Sequence, residues 1–93
     1  MKNNLLISYK WNDSPQNKEL FVKQIQAFGD SIQIFESTWF VNTSSLPDEI
    51  IAKLKQLTVD SEIIICESRH CAWLLSEPAQ SELKKFHKEM YQF

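Results

Sequence analysis

The chain contains a single glycine, two cysteines, two histidines and three prolines among 93 residues. One glycine implies few turns that need positive φ and excludes the glycine-rich loops that cradle phosphates. Cys66 and Cys71 do not form a C-x-x-C pair. With His70 between them they give at most three ligands, and no second pair completes a tetrahedral zinc site. A small buried thiol within an apolar strand is the simpler reading of Cys66. There is no excess of positive charge: the formal net charge is −2, so any contact with nucleic acid or an anionic membrane has to come from a local patch. No apolar run approaches the length of a membrane span. Met1-Lys2-Asn3-Asn4 leads into a strand-like run and not into the apolar core of a signal peptide, so the expected location is cytoplasmic. Internal repeats, low-complexity tracts and linkers are missing too.

What is present is ordinary globular composition, 43% hydrophobic with three Trp and six Phe, enough for one domain spanning 1–93 with a thin core. Leu5 to Tyr9 reads as a buried strand. Asn12-Asp13-Ser14-Pro15 is helix-start chemistry, with Ser14 as N-cap and Pro15 in the first helical position. From Gln16 to Phe28, Leu20, Phe21, Ile25 and Phe28 recur at helical spacing, and Gly29 is the natural stop. Ile32 to Thr43 has strand composition, but its alternation is imperfect at Ile34-Phe35 and Trp39-Phe40-Val41, which predicts a bulge or cover on both sides. Ser45 is the expected N-cap of a second helix that buries Ile50, Ile51, Leu54 and Leu57. Glu62 to Glu67 is a further strand. Ser76-Glu77-Pro78 opens a C-terminal helical extension over 76–93, with Leu83, Phe86, Met90 and Phe93 along one side. The path of residues 68–80 is left open.

This order fits an α+β, ferredoxin-like (βαββαβ-type) sandwich with an additional C-terminal helix. The fourth strand comes either from a hairpin within 32–43 or from 71–75. The sheet face away from the helices would be bare in a monomer, so a homodimer is expected.

Leu6-Ile7-Ser8-Tyr9, Ser37-Thr38-Trp39-Phe40-Val41, the strand from Asp60 to Cys66, and Ala72-Trp73 together resemble a group of small bacterial proteins. These are the SinR-family proteins, similar to the CRISPR-associated endoribonuclease of the adaptation complex, and the virulence-associated protein D toxins share the same broad fold group. The resemblance covers roughly residues 4–75. It implies a dimer and a nucleic-acid-related role. In the endoribonuclease group an aspartate follows the first strand's aromatic residue, and with its symmetry mate it holds a divalent metal that stabilises charge on a phosphodiester. The matching position here is Lys10, which repels Mg²⁺ where that aspartate would ligate it.

Three functions therefore stand open. The first is a homodimer that binds RNA or DNA without cleaving it. Lys10 would contact phosphate and Trp11 would stack on a base, although a solvated strand-end lysine and a packed tryptophan are the ordinary roles of those residues. The second is an active toxin-type ribonuclease using Tyr9 or Asp13, or a histidine, with Mg²⁺ as cofactor only in that case. The third is a protein–protein interaction module. His70 and His87 have no partner that the sequence places beside them. Lys84, Lys85, His87 and Lys88 make a cationic side on the last helix, diluted by Glu82 and Glu89, that reads equally as the polar side of an amphipathic helix.

Overall fold

The computed structural model describes residues 2–68, 76–78 and 81–83. Strand β1 (Asn3–Lys10) leads to helix α1 (Pro15–Ala27), then strands β2 (Asp30–Phe35) and β3 (Thr38–Thr43), helix α2 (Pro47–Leu54) with a 3₁₀ turn at Lys55–Leu57, and strand β4 (Glu62–Glu67). The four strands form one sheet in the order β2-β3-β1-β4, and every neighbouring pair is antiparallel. The fold is thus α+β. No helix among the described residues is long and apolar enough to cross a membrane.

Side chains alternate across a strand, and β1 divides its residues accordingly. Leu5, Ile7 and Tyr9 are buried on one face, where Trp39 and Val41 of β3, Phe21 and Ile25 of α1, and Ile50 and Leu54 of α2 close the main core. Ile63 and Ile65 of β4 pack against the same core. Both helices therefore cover the same side of the sheet. Phe21, Ile25, Ile50 and Leu54 are fully buried, each worth about 1.5–3 kcal/mol. Lys53 sits 5.8 Å from the centre of the Phe28 ring and joins α2 to the end of α1. Leu20, expected on the buried side of α1, is instead more than half exposed. It lies about 100° round the helix from Phe21, outside the stripe that Phe21 and Ile25 define.

The helix boundaries follow local chemistry. Ser14 caps α1 by accepting the Asn17 backbone N–H at 3.1 Å, and Pro15 occupies the first turn. Helix α2 starts one residue later than expected, with Leu46 and not Ser45 as its N-cap. Pro47 restricts the residue before it to extended backbone. The Leu46 N–H donates to Glu49 Oε1 at 3.0 Å, half of a capping box without the hydroxyl partner. The Ser45 N–H donates to the Thr43 hydroxyl.

The segment 32–43 is a hairpin, turning at Glu36-Ser37, with a register shift between Gln33 and Phe35. Tyr9 holds the turn: its backbone N–H donates to the Ser37 carbonyl at 3.0 Å and its hydroxyl to the Glu36 carbonyl at 3.4 Å. Residues 71–75, the other expected source of a fourth strand, lie outside the described residues.

The second face of the sheet is not bare. Leu83, from the helical residues 81–83, is fully buried against Ile32 and Phe40, with Leu6 and Ile34 beside them. This cover lies over β2, β3 and part of β1. Toward β4, Ile64 remains 61% exposed and Cys66 is exposed, not buried as its apolar neighbours suggested. Phe86, Met90 and Phe93 of the expected helix lie outside the described residues.

Two substitutions test these supports. Gly29 has φ +155°, and a Cβ there would collide with the Asn42 carbonyl oxygen. Gly29→Ala is expected to cost at least about 2 kcal/mol, read as a lowered urea midpoint at constant slope. Leu83→Ala is expected to cost about 2–3 kcal/mol in the same experiment if the second face depends on it, and an unchanged midpoint would show that the cover is dispensable.

Candidate functional site

The C-terminal end of β1 brings the sequence-derived candidates together in the chain but sends them to different faces. Tyr9 points into the core and is 6% exposed. Its ring stands edge-on to Phe21 at 4.8 Å between centroids. Burial pushes the phenol's pKa up; the Trp39 indole N–H opposes that shift, and the Glu36 carboxylate adds to it. Tyr9 is thus a neutral hydrogen-bond donor fixing the β2–β3 turn. The Trp39 indole nitrogen is buried and makes no hydrogen bond of good geometry among the described residues.

Trp11 lies against the same aromatic group, 5.1 Å from Phe21 and 6.4 Å from Tyr9 between ring centroids. Its indole N–H donates to the Ser14 carbonyl at 3.1 Å. The ring is half-buried, packed on the start of α1.

Asp13 is exposed, and both of its oxygens have donors. Oδ1 accepts the Ser14 backbone N–H at 2.7 Å and the Asn17 side-chain amide at 3.1 Å. The Thr58 hydroxyl has one proton to share between Asp13 Oδ2, 3.2 Å away, and Ser61 Oγ, 2.8 Å away. Ser61 Oγ in turn accepts the Asn12 backbone N–H at 2.8 Å. This cluster ties the β1–α1 loop to the α2–β4 loop. The Ser14 backbone N–H does most to hold the Asp13 carboxyl below the usual carboxylate range, helped by Asn17, Thr58 and the Val59 backbone against some desolvation.

Lys10 is the one of the four that faces solvent beside a concave surface. It ends β1 directly opposite Glu62 on β4. The two side chains do not form an ion pair within 4 Å. Around them lies a shallow depression of about 320 Å³, lined by Ser8, Tyr9, Lys10, Glu62, Ile63 and Ile64. Because Lys10, Ser8, Glu62 and Ile64 occupy alternate positions in register, they share the face away from α1 and α2. The Ser8 hydroxyl lies 3.3 Å from that of Thr38 on β3. The depression therefore carries one ammonium, the Ser8 hydroxyl, one carboxylate and an exposed isoleucine. The ammonium can meet an anion, and the carboxylate beside it can accept from a hydrogen-bond donor. Glu62 and Ile64 were not singled out by the sequence. Their membership of this face follows from the register of β4 against β1, which no local pattern discloses.

Among the described residues, no group of three or more His, Cys, Asp or Glu side chains stands close enough to hold a metal ion. His70, Cys71 and the cationic residues Lys84, Lys85, His87 and Lys88 lie outside the described residues. Another depression, of about 380 Å³, lies along α1 among Pro15, Lys18, Val22 and Lys23.

No protein-family model matches the chain, and no curated protein sequence matches it significantly.

The role of Asp13 has a pH signature. A carboxyl whose folded pKa lies below its unfolded value stabilises the fold above the unfolded pKa, near 4, and that contribution is lost as pH falls through the folded value. Asp13→Asn is therefore expected to lower the urea midpoint at pH 7, with the gap to the native protein closing as pH drops below about 4. A gap that stays constant between pH 7 and pH 3 would contradict this role.

Proposed function

We propose that the chain is a ferredoxin-like domain that binds nucleic acid through the end of β1 without metal-dependent cleavage. The fold part of this reading is supported by the strand order. A double split βαβ leaves the first and third strands central, the second and fourth at the edges, and all neighbours antiparallel. The sheet order β2-β3-β1-β4, with both helices on one face, is the observation that supports it.

The observation that carries the functional part is Lys10, exposed at the rim of the strand-end depression and forming no ion pair with Glu62 within 4 Å. In the similar CRISPR-associated endoribonucleases this position holds a metal-binding aspartate. A lysine there attracts the phosphate and repels the metal. The aspartate nearest in sequence, Asp13, is engaged as a strut between two loops, which supports binding over hydrolysis. A homodimer would present two such lysines, one from each copy.

A second reading is favoured by a separate observation: among the described residues β4 is an edge strand, with Ile64 61% exposed. An edge of this kind can pair with a strand from a protein partner. That interaction module would show no affinity for nucleic acid at low salt, where electrostatic binding is strongest.

Fluorescence anisotropy with labelled RNA and DNA, in EDTA and in Mg²⁺, separates these readings, with light scattering to report the dimer. The expected result is salt-sensitive binding without strand cleavage. Lys10→Ala should lower the slope of log affinity against log salt by about one per subunit. Mg²⁺-dependent cleavage that Asp13→Ala or Tyr9→Phe abolishes would instead establish the toxin-type ribonuclease.

A further inference from the structure

The strand-end depression combines groups that a plain phosphate site does not need. A site for backbone phosphate alone gains nothing from a carboxylate beside its lysine, because that carboxylate repels the ligand. Here Glu62 stands directly across from Lys10 and is exposed. Two positions further along β4, on the same face, Ile64 is 61% exposed. The three side chains thus offer a cation, an apolar platform and a two-oxygen acceptor within one surface.

We infer that this surface receives a single unpaired guanine nucleotide, resting on the nucleic-acid reading above. Lys10 meets the phosphate, the base lies on Ile64, and the Glu62 carboxylate accepts from the base edge. Only an unstacked base can present its Watson–Crick edge in this way, so the ligand class is single-stranded RNA or DNA. Guanine is selected because its N1–H and N2–H₂ lie side by side and match the two oxygens of a carboxylate. Cytosine and adenine each place one amino donor beside a ring-nitrogen acceptor, which the carboxylate repels. Uracil places one N–H between two carbonyls.

Binding of a 12-nucleotide oligouridine with and without one central guanosine provides the test, with the native protein, Glu62→Gln and Lys10→Ala. The native protein is expected to prefer the guanosine-containing strand by about tenfold, the worth of one bidentate base contact. Glu62→Gln, an exposed and isosteric change, should remove that preference and bring the two strands to equal affinity. Lys10→Ala should weaken both oligonucleotides to a similar degree and keep their ratio. Equal affinity of the native protein for the two strands would overturn the guanine assignment and leave the nucleic-acid reading standing. So would a preference that survives in Glu62→Gln. Absence of binding to either strand at low salt would overturn both.

Discussion

Strand β1 is hydrogen-bonded on both sides, to β3 over Asn3–Ser8 and to β4 over Leu5–Lys10, and nearly everything else is arranged around it. Its alternate residues Leu5, Ile7 and Tyr9 form the floor on which α1 and α2 sit. Leu6 belongs to the cluster that Leu83 closes on the other side. A central strand of this kind cannot slip by one residue, since a slip would exchange the core and solvent faces along its whole length. That constraint also decides chemistry. Tyr9, odd in register, is committed to the core; Lys10, the next residue, is committed to the open face. The only sequence difference needed to turn one side chain from core to solvent is its parity.

Punctuation set by local chemistry is legible in the sequence itself. Ser14-Pro15 and Gly29 bracket α1 because a hydroxyl cap, a fixed φ and a residue free to adopt positive φ act within a few residues of themselves. The hairpin at Glu36-Ser37 is legible only as one of two alternatives. It carries no Gly, Pro or Asn to announce it, and no non-glycine residue among the described residues adopts positive φ. What holds this turn is Tyr9, 27 positions away in sequence from Glu36, so its cause is tertiary. Cys66 illustrates the same limit: in Ile63-Ile64-Ile65-Cys66 every residue is apolar, and period alone cannot say which face is covered.

The candidate site is legible in its anchor and not in its walls. The position after Tyr9 is the one singled out as an expectation from the sequence, and the fold puts Lys10 there at the rim of a depression. Asp13 carries a helix-start signature, and its bond to Asn17 is of the local kind that spacing suggests. Its contact with Thr58 spans 45 residues and converts a candidate ligand into a strut. Trp11, which spacing leaves free to stack on a base, has its N–H engaged by Ser14 and its ring set against Phe21. Exposure and register, both products of β1 pairing with β4, separate the residue that faces solvent from those that hold the frame.

The central claim, that the face at the end of β1 binds an unpaired strand, is tested most directly by titrating ¹⁵N-labelled protein with a short single-stranded RNA in EDTA and following amide shifts. The largest changes are expected at Ser8, Lys10, Glu62 and Ile64, with little change at Lys18 and Lys23 of α1. Shifts concentrated on α1, or none at any RNA concentration at low salt, would contradict it.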